Sequence, residues 1–364
     1  MPSSSKAYVN GDEKHLVCVT GAGSFIGSWV VKELLDRGYH VRGTARDPSD
    51  QKNAHLLALD GAEERLTLCR ADVLDYGSLS AAFSGCRGVF HVASSTNNDN
   101  AACTKDSMVV AVEGTKNAIN VAADMGVRRM VFTSSYGAVH MDPNRSPDTV
   151  VDETCWSDYD FCKRTGVRNE RARSFSSLHP NLYCCGKMMA EIAATEEAAK
   201  RGLELVVVVP AITIGPMLHQ TLNYSSDHVA RFLTGKKREY QNAVTAYIDV
   251  RDVARAHAIV YKLHDARGGG GGHRYLCLSA VLHRAQFVQL LRDLFPHYPV
   301  TAKYQDEGDG KPMVKPYKFS NRMLKDLGME FTPMRESLYD TVVMLQQKGH
   351  VTVPALPMPK RARL

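Results

Sequence analysis

The sequence predicts an α/β protein built on a doubly wound parallel sheet, followed by a smaller C-terminal lobe. Two observations indicate this fold class. Apolar strands alternate with helical segments over the first 210 residues, and the first strand, Leu16–Thr20, leads into a glycine-rich turn. A helix with apolar residues at helical spacing follows that turn and stops near Gly38. Strand, glycine turn and helix in this order open Rossmann-type sheets, in which helices cover both faces.

The remaining elements of the sheet follow in chain order. Short apolar runs predict strands at His40–Ala45, Leu66–Arg70, Gly88–Val92, Met130–Thr133 and Leu203–Val209. Helical spacing or composition predicts helices over Phe25–Arg37, near 52–59, 76–85 and 105–125, and from Tyr183 to about Arg201.

The organisation predicted from these elements is two-lobed. Residues 15–210 form a Rossmann domain, to which residues 246–265 return. Residues 211–350 form mainly the smaller, substrate-binding lobe, which includes the pattern of helices and short strands at 273–350. Residues 1–14 and 351–364 are expected to be flexible tails.

Two segments interrupt the alternating pattern. Gly166–Pro180 is polar, rich in arginine and serine, and without apolar periodicity, so we expect an exposed, mobile loop. Gly268–Gly272 is a run of five glycines that is typical of a flexible linker.

The composition argues against a membrane protein, a secreted protein, a nucleic-acid-binding protein and a metal-binding protein. With 44% hydrophobic residues and no apolar stretch approaching the length of a membrane span, the chain is expected to be soluble. The N-terminal residues lack an apolar signal core, so we expect a cytoplasmic protein. Most of the net charge of +6 lies in residues 166–180 and 360–364, which argues against a nucleic-acid partner. The nine cysteines include no C-x-x-C pair or zinc-ligand spacing, so no metal site is expected.

The turn after the first strand predicts an anion cradle. A G-x-x-G-x-x-G pattern normally holds a dinucleotide pyrophosphate against free amides at a helix N-terminus. Serine occupies its middle position here. The residues assigned to this part of a cofactor site are Gly21, Gly23, Ser24, Phe25, Ile26 and Gly27.

The next strand ends indicate which dinucleotide would bind. Arg46 stands where an NAD-binding chain would carry an acidic residue, and a guanidinium there favours a 2′-phosphate, hence NADP(H). Lys52 could supply a second cation to the same phosphate. The alternative is that Arg46 and Lys52 are ordinary solvated surface charges. Asp72 is assigned to the adenine contact. The same site is expected to include Val73, Ala93, Ser94 and Pro210.

Three polar residues fit carbonyl reduction. Tyr183 and Lys187 are four apart, so they share a helix face, and an ammonium beside a phenol lowers the phenol pKa. Ser135 follows a predicted strand and can donate a hydrogen bond to a substrate carbonyl. The hypothesis is that Tyr183 donates the proton while Lys187 holds the nicotinamide ribose and tunes the tyrosine.

Several motifs resemble one family closely. The order of glycine turn, Ser135, Tyr183 and Lys187 is similar to that of extended short-chain dehydrogenase/reductases. Residues 181–187, Asn-Leu-Tyr-Cys-Cys-Gly-Lys, resemble the N-W-Y-C-Y-G-K signature of plant cinnamoyl-CoA reductases. Residues 132–135, 152–158, 247–254 and 281–284 are similar to the family as well.

The resemblance implies NADPH-dependent reduction of a hydroxycinnamoyl-CoA thioester to a cinnamaldehyde with release of CoA, as in lignin and phenylpropanoid metabolism. It also implies a substrate-binding set of His228, Arg231 and Arg284, in which Arg231 replaces the family lysine, and a monomer or weak oligomer. The family cysteines correspond to Cys155 and Cys162, which leaves open either a redox disulfide or two free thiols.

Departures from the family keep other functions open. Ser24, Leu182, Cys185 and the Gly166–Pro180 insertion, which has no family counterpart, would suit a catalytically impaired NADPH-binding paralogue. A dihydroflavonol-type ketone reductase shares the fold and cofactor and is the other alternative. Retention of Ser135, Tyr183 and Lys187 favours an enzyme.

Overall fold

The computed structural model describes residues 15–94, 105–168, 180–262, 273–304 and 312–353. Its strands within these ranges are β1 (Leu16–Thr20), β2 (His40–Ala45), β3 (Leu66–Arg70), β4 (Gly88–His91), β5 (Arg129–Thr133), β6 (Glu204–Pro210), β7 (Ile212–Ile214), β8 (Val244–Asp249), β9 (His273–Cys277) and β10 (Ala280–His283).

Helices connect these strands. They are α1 (Phe25–Asp36), α2 (Ala54–Leu57), α3 (Ala62–Arg65), α4 (Tyr76–Phe83), α5 (Lys105–Asp124), α6 (Tyr159–Arg168), α7 (Pro180–Arg201), α8 (Tyr224–Leu233), α9 (Val250–Lys262), α10 (Arg284–Leu294), α11 (Arg322–Asp326) and α12 (Met334–Gln347). Short 3₁₀ turns cover Gln51–Asn53 and Tyr136–Ala138.

The main sheet has seven parallel strands in the order β3-β2-β1-β4-β5-β6-β9. Its order reverses between β1 and β4, which are hydrogen-bonded neighbours although β2 and β3 intervene in sequence. Ligands of open α/β sheets bind in the crevice beyond the carboxyl ends of the strands at such a reversal. That crevice lies beside Thr20 of β1 and His91 of β4, whose residues are paired in register.

A second sheet of three strands, in the order β10-β8-β7, carries the smaller lobe. Its side chains join an apolar cluster with α8, α10 and α12, in which Phe232, Tyr247, Phe287 and Leu338 are buried. The larger cluster lies against the main sheet and is built from the apolar strands β1, β4, β5 and β6 with the helices that cover them. Within the described residues, no helix combines the length and apolarity that a membrane crossing requires.

The predicted α/β doubly wound sheet is confirmed, with two corrections to individual elements. Residues 273–277, which we expected in the smaller lobe, form β9 and pair with β6 at the edge of the main sheet. The segment near 52–59 is a 3₁₀ turn followed by the short helix α2 rather than one helix.

The predicted loop at Gly166–Pro180 is wrong at both ends. Helix α6 continues to Arg168 and α7 already begins at Pro180. Residues 166–168 continue the helix that begins at Tyr159. Their polar composition led the sequence analysis to end that helix too early. Residues 169–179, on which the rest of that expectation falls, lie outside the described residues.

Candidate active site

The glycine turn between β1 and α1 leaves no room for side chains at two positions. Gly21 has a positive φ of 64°, and a Cβ there would lie 3.0 Å from the Ala93 backbone. A Cβ on Gly27 would lie 2.2 Å from the carbonyl oxygen of Gly21. Both glycines are therefore required for the turn to close over the helix start. The residues fit the phosphate cradle that the sequence predicts.

Ser24, the departure from the glycine pattern, has a defined structural role. It is the N-cap of α1, and its hydroxyl oxygen accepts a hydrogen bond from the Gly27 amide at 3.1 Å. A serine N-cap stabilises a helix by about 1 kcal/mol relative to alanine. Phe25 and Ile26 supply the amides of the first turn, where an anion is favoured by the helix dipole. At Gly23, a Cβ would lie 2.4 Å from the Asn53 amide oxygen, so this position also excludes a side chain.

The three polar residues expected at the adenosine end differ in their surroundings. Arg46 directly follows β2 and is exposed, as a group reaching for a 2′-phosphate would be. Lys52 is also exposed, but its ammonium pairs with Asp50 at 2.7 Å. Asp72 accepts a hydrogen bond from the Leu74 amide at 2.9 Å, which fixes the loop after β3. Arg46 is thus the cation better placed for the phosphate.

A cleft opens at the carboxyl edge between β4 and β5. Val73, Ala93 and Ser94 line it together with Lys187, and so do His91 and Phe132 from the strand ends. Pro210 ends the neighbouring strand β6 and is buried. The Thr20 hydroxyl holds this edge together, because it accepts from the amides of Val92 and Ala93 at 3.1 and 3.0 Å.

The turn after β5 places Ser135 next to a segment that packs against α7, the helix that carries Tyr183. Ser135 caps the 3₁₀ turn Tyr136–Ala138, its hydroxyl oxygen accepting from the Gly137 amide at 3.1 Å. That turn packs against α7, where a Cβ on Gly137 would lie 3.1 Å from Cys184 Sγ, next to Tyr183. A residue larger than glycine would separate the serine turn from the helix that carries the tyrosine.

Lys187 lies one helical turn beyond Tyr183 and is buried, with 9% of its surface exposed. Burial lowers its pKa to about 8, and the nearby Glu191 carboxylate opposes that shift. Burial, and then the charge of Lys187, lower the pKa of His91 to about 3, so this histidine is neutral in the cleft. The arrangement can hold an ammonium ion that is close to its own titration point beside a phenol.

Two neighbours of Lys187 were missed by the sequence analysis. Glu191, fully buried on α7, accepts hydrogen bonds from the Ser134 hydroxyl and from Arg274 of β9. Glu191 follows Lys187 by four residues, so helical spacing was a usable signal for it. Nothing local in the sequence connects Arg274 to residues that lie more than eighty positions earlier.

The predicted substrate set is brought together only in part. His228 of α8 and Arg284 of α10 are hydrogen-bonded, and both contact the Tyr247 hydroxyl, at 3.4 and 3.2 Å respectively. Burial, with Arg284 next, lowers the pKa of His228 well below its ordinary value. Tyr247, a further residue that the sequence analysis did not assign, stacks on Phe287 with ring centroids 5.2 Å apart.

Arg231 makes no side-chain hydrogen bond to that cluster among the described residues, although its charge is one of the smaller causes that lower the pKa of His228. Its guanidinium is exposed and lies 3.9 Å from the Asp227 carboxylate on the same helix. A lysine, Lys237, lies near Arg284 instead. Burial lowers the pKa of Lys237, and the charge of Arg284 lowers it further. The assignment of Arg231 to the substrate therefore has weaker structural support than those of His228 and Arg284.

Cys155 and Cys162 are not joined by a disulfide in this structure. Cys155 lies beside Asp152, with the sulfur 3.8 Å from the carboxylate, whereas Cys162 is buried in a cluster with Cys184 and Cys185. Burial and Cys185 raise the pKa of the Cys162 thiol to about 12, which disfavours the reactive thiolate. Cys185 thus fills part of the core behind Tyr183, whereas the Leu182 side chain lies outside the described residues.

A seven-stranded parallel sheet with a glycine-turn cradle and a serine, a tyrosine and a lysine at its carboxyl edge defines the short-chain dehydrogenase/reductase class. Residues 17–275 match the model of the NAD dependent epimerase/dehydratase family. The chain belongs to this family, the extended branch of the class, as its motifs predicted.

Known relatives agree with this assignment. The chain is 67% identical to cinnamoyl-CoA reductase 1 of Oryza sativa subsp. japonica, over 98% of this chain and 97% of that protein. It is 51% identical to cinnamoyl-CoA reductase 1 of Arabidopsis thaliana, over 92% and 90% of the two chains.

Solved structures share the fold along nearly the whole chain. Vestitone reductase from alfalfa superposes with a TM-score of 0.74 at 28% identity, covering 93% of this chain and 100% of that one. Yeast methylglyoxal/isovaleraldehyde reductase complexed with NADPH superposes with a TM-score of 0.73 at 25% identity, covering 92% and 100%.

Proposed function

We propose that this protein is an NADPH-dependent reductase that converts a hydroxycinnamoyl-CoA thioester to the cinnamaldehyde and releases CoA. The observation that carries the proposal is the 67% identity to rice cinnamoyl-CoA reductase 1 over 98% of this chain. Identity to the dihydroflavonol reductase of Pyrus communis is 33%, so the ketone-reductase alternative has less support. NADPH is the cofactor, in agreement with Arg46 after β2 and with the yeast reductase complex.

The proposed roles of the side chains follow from their positions. The nicotinamide, when bound, supplies a hydride to the thioester carbonyl carbon. The Ser135 hydroxyl donates a hydrogen bond to the carbonyl oxygen, and the Tyr183 phenol supplies a proton as charge develops on that oxygen. The C–S bond then breaks as the carbonyl re-forms: the hydroxyl returns its proton to the Tyr183 phenolate, and the departing sulfur takes up one proton from solvent to leave as the thiol.

Lys187 supports the chemistry from the wall of the cleft. Its ammonium favours the phenolate of Tyr183 after proton donation, and it is positioned to hold the nicotinamide ribose. His228, Tyr247 and Arg284 form the proposed substrate site of the smaller lobe. Arg284 supplies positive charge for a phosphate of CoA, while neutral His228 and the Tyr247 hydroxyl supply hydrogen bonds.

An assay with the purified protein tests the activity. NADPH oxidation with feruloyl-CoA should produce coniferaldehyde and free thiol in equal amounts, whereas a dihydroflavonol should be a poor substrate. Turnover of the dihydroflavonol without aldehyde formation from feruloyl-CoA would favour the ketone reductase. NADPH binding with neither reaction would favour the impaired paralogue.

We further propose that the protein acts in the cytoplasm as a monomer or weak oligomer. Support comes from the hydrophobic content of 44%, which is ordinary for a globular protein. Sedimentation at micromolar concentration would contradict this proposal if it gave a stable dimer.

A further inference from the structure

Glu191 is a fully buried carboxyl group beside the catalytic residues, and such a group requires a physical reason. Its side chain accepts hydrogen bonds from Ser134 and from Arg274. Burying an ion pair costs more desolvation energy than burying apolar residues of similar volume, so packing alone would be served as well by a hydrophobic pair.

Arg274 is fixed from its other side. One terminal nitrogen, Nη1, donates to the carbonyl oxygens of Glu153 and Cys155 at 2.6 and 3.0 Å. Its guanidinium lies over the Trp156 ring, 3.8 Å from the centroid. Arg274 therefore connects strand β9, the segment before α6 and helix α7, and it holds the Glu191 carboxylate in one position beneath Lys187.

We propose that Glu191 and Arg274 are positioning residues for the reduction, and that together they set the charge and the place of Lys187. The catalytic part of this inference rests on the proposed function. Its structural basis is independent of that function, because the pair exists in the protein without substrate or cofactor.

The charged groups around Lys187 explain how the pair acts. His91 of β4 faces the same cleft and is neutral, because burial lowers its pKa to about 3. Glu191 of α7 raises the pKa of Lys187 against the lowering effect of burial. Burial raises the pKa of the Glu191 carboxyl group, and Arg274 of β9 opposes that shift and so favours the ionised form. Tyr183, on the preceding turn of α7, is the proposed proton donor that this ammonium serves.

Removing either charge should therefore make Lys187 lose its proton at lower pH. In Glu191→Gln, the lysine loses the nearby carboxylate that supports its ammonium form. In Arg274→Gln, the guanidinium no longer opposes the effect of burial on Glu191, so this carboxyl group takes up a proton and the same support is lost. A merely structural role would weaken both variants without moving the titration of Lys187.

The test is competitive labelling of lysines in the apoprotein across a pH series, with the Lys187 peptide quantified by mass spectrometry. Half-maximal labelling of Lys187 should move to lower pH both in Glu191→Gln and in Arg274→Gln. The alkaline limb of kcat with feruloyl-CoA should move in the same direction. At a pH on that limb, kcat of Glu191→Gln should fall by about tenfold, the change in protonated fraction that one pKa unit represents.

Matched variants separate charge from shape. Glu196→Gln removes the same charge from an exposed position of α7 and should leave the Lys187 profile unchanged. Arg274→Lys keeps the charge and should restore most of the profile. If Glu191→Gln fails to fold, the shift to lower pH in Arg274→Gln decides the matter alone. Unmoved Lys187 labelling in a folded Arg274→Gln protein would overturn the proposal.

Failure of the proposed function would look different. Labelling needs neither cofactor nor thioester, so the shifts to lower pH should be measurable even in a protein that does not reduce feruloyl-CoA. In that case the reaction assigned to this site would be wrong, while the pairing of Glu191 and Arg274 with Lys187 would stand.

Discussion

Two clusters of buried polar residues have opposite effects on the protonation of their basic group. One consists of Lys187, Glu191 and Arg274, and the other of His228, Tyr247 and Arg284. Both place a basic side chain in a poorly solvated wall, and burial lowers the pKa of that group in each. Beneath Lys187 lies a carboxylate that supports the protonated form. Beside His228 lies a guanidinium that disfavours it further.

The difference indicates what each cluster is for. A residue that tunes a proton donor must remain charged near neutral pH, so its wall includes an anion. A histidine that accepts a hydrogen bond from an arginine must remain neutral, so its wall consists of aromatic rings and a cation. The second cluster leaves Arg284 as the charge that an anionic substrate meets.

Removing the proton donor should give the largest effect. Tyr183→Phe should lower kcat by about 100- to 10,000-fold, the contribution of general acid catalysis, while NADPH binding is retained. Lys187→Ala should damage turnover and NADPH binding together, since the same ammonium is proposed to hold the ribose. Rates come from NADPH oxidation and affinities from calorimetry. Near-normal turnover by Tyr183→Phe would show that Tyr183 is not the proton donor and that the Lys187 cluster does not act through it.

The second cluster can be tested with two arginines that differ in their surroundings. Arg284→Ala should raise KM for feruloyl-CoA by about 10- to 100-fold, because a charge-assisted hydrogen bond contributes about 1.5–3 kcal/mol. Arg231→Ala removes the same charge from an exposed side chain paired only with Asp227 among the described residues, at 3.9 Å, and should change KM by less than about threefold. Equal effects would restore Arg231 to the substrate site.

The preference for NADPH over NADH tests the adenosine end of the cofactor site, which belongs to neither cluster. Arg46→Ala should weaken NADPH binding by about 10- to 100-fold and leave NADH nearly unchanged, because only the 2′-phosphate loses a charge-assisted partner worth about 1.5–3 kcal/mol. Calorimetric titration with both cofactors measures this. Parallel losses would mean that Arg46 supports the loop rather than the phosphate.

Buried neutral histidines predict a loss of stability in mild acid. The pKa of His257 is lowered to about 4 by burial, below its value in the unfolded chain, so acid favours the unfolded state. Each such histidine should cost about 1.4 kcal/mol of unfolding free energy between roughly pH 7.5 and 5.5. Urea unfolding at both pH values measures it. His257→Asn should flatten the dependence, whereas His297→Asn, at an exposed position, should not.

The smallest effect is expected from residues 169–179, which belong to neither cluster. Their polar, arginine-rich composition predicts that they add nothing to the core. Excising them, with α6 and α7 left intact and rejoined by a short glycine linker, should keep the melting temperature and kcat within about twofold of the parent activity. Loss of thioester binding with retained NADPH binding would instead place them in the substrate site.

Much of the main sheet was determined by sequence alone. Strands β1, β2 and β3 begin and end where the sequence predicts. For β1 the reason is that a buried parallel strand is a continuous apolar run. The glycine turn and the four-residue spacing of Tyr183 and Lys187 are likewise local patterns. The family was predicted from such motifs and is confirmed by the matched family and relatives.

Only the tertiary structure decided which distant residues complete each cluster. Arg274 reaches Glu191 because β9 closes the edge of the sheet beside β6, a pairing that its short polar-flanked sequence did not reveal. Tyr247 meets His228 because β8 and α8 pack around Phe287. Local patterns follow from the period of a helix or strand, whereas the partners of a buried charge depend on which elements pack against it.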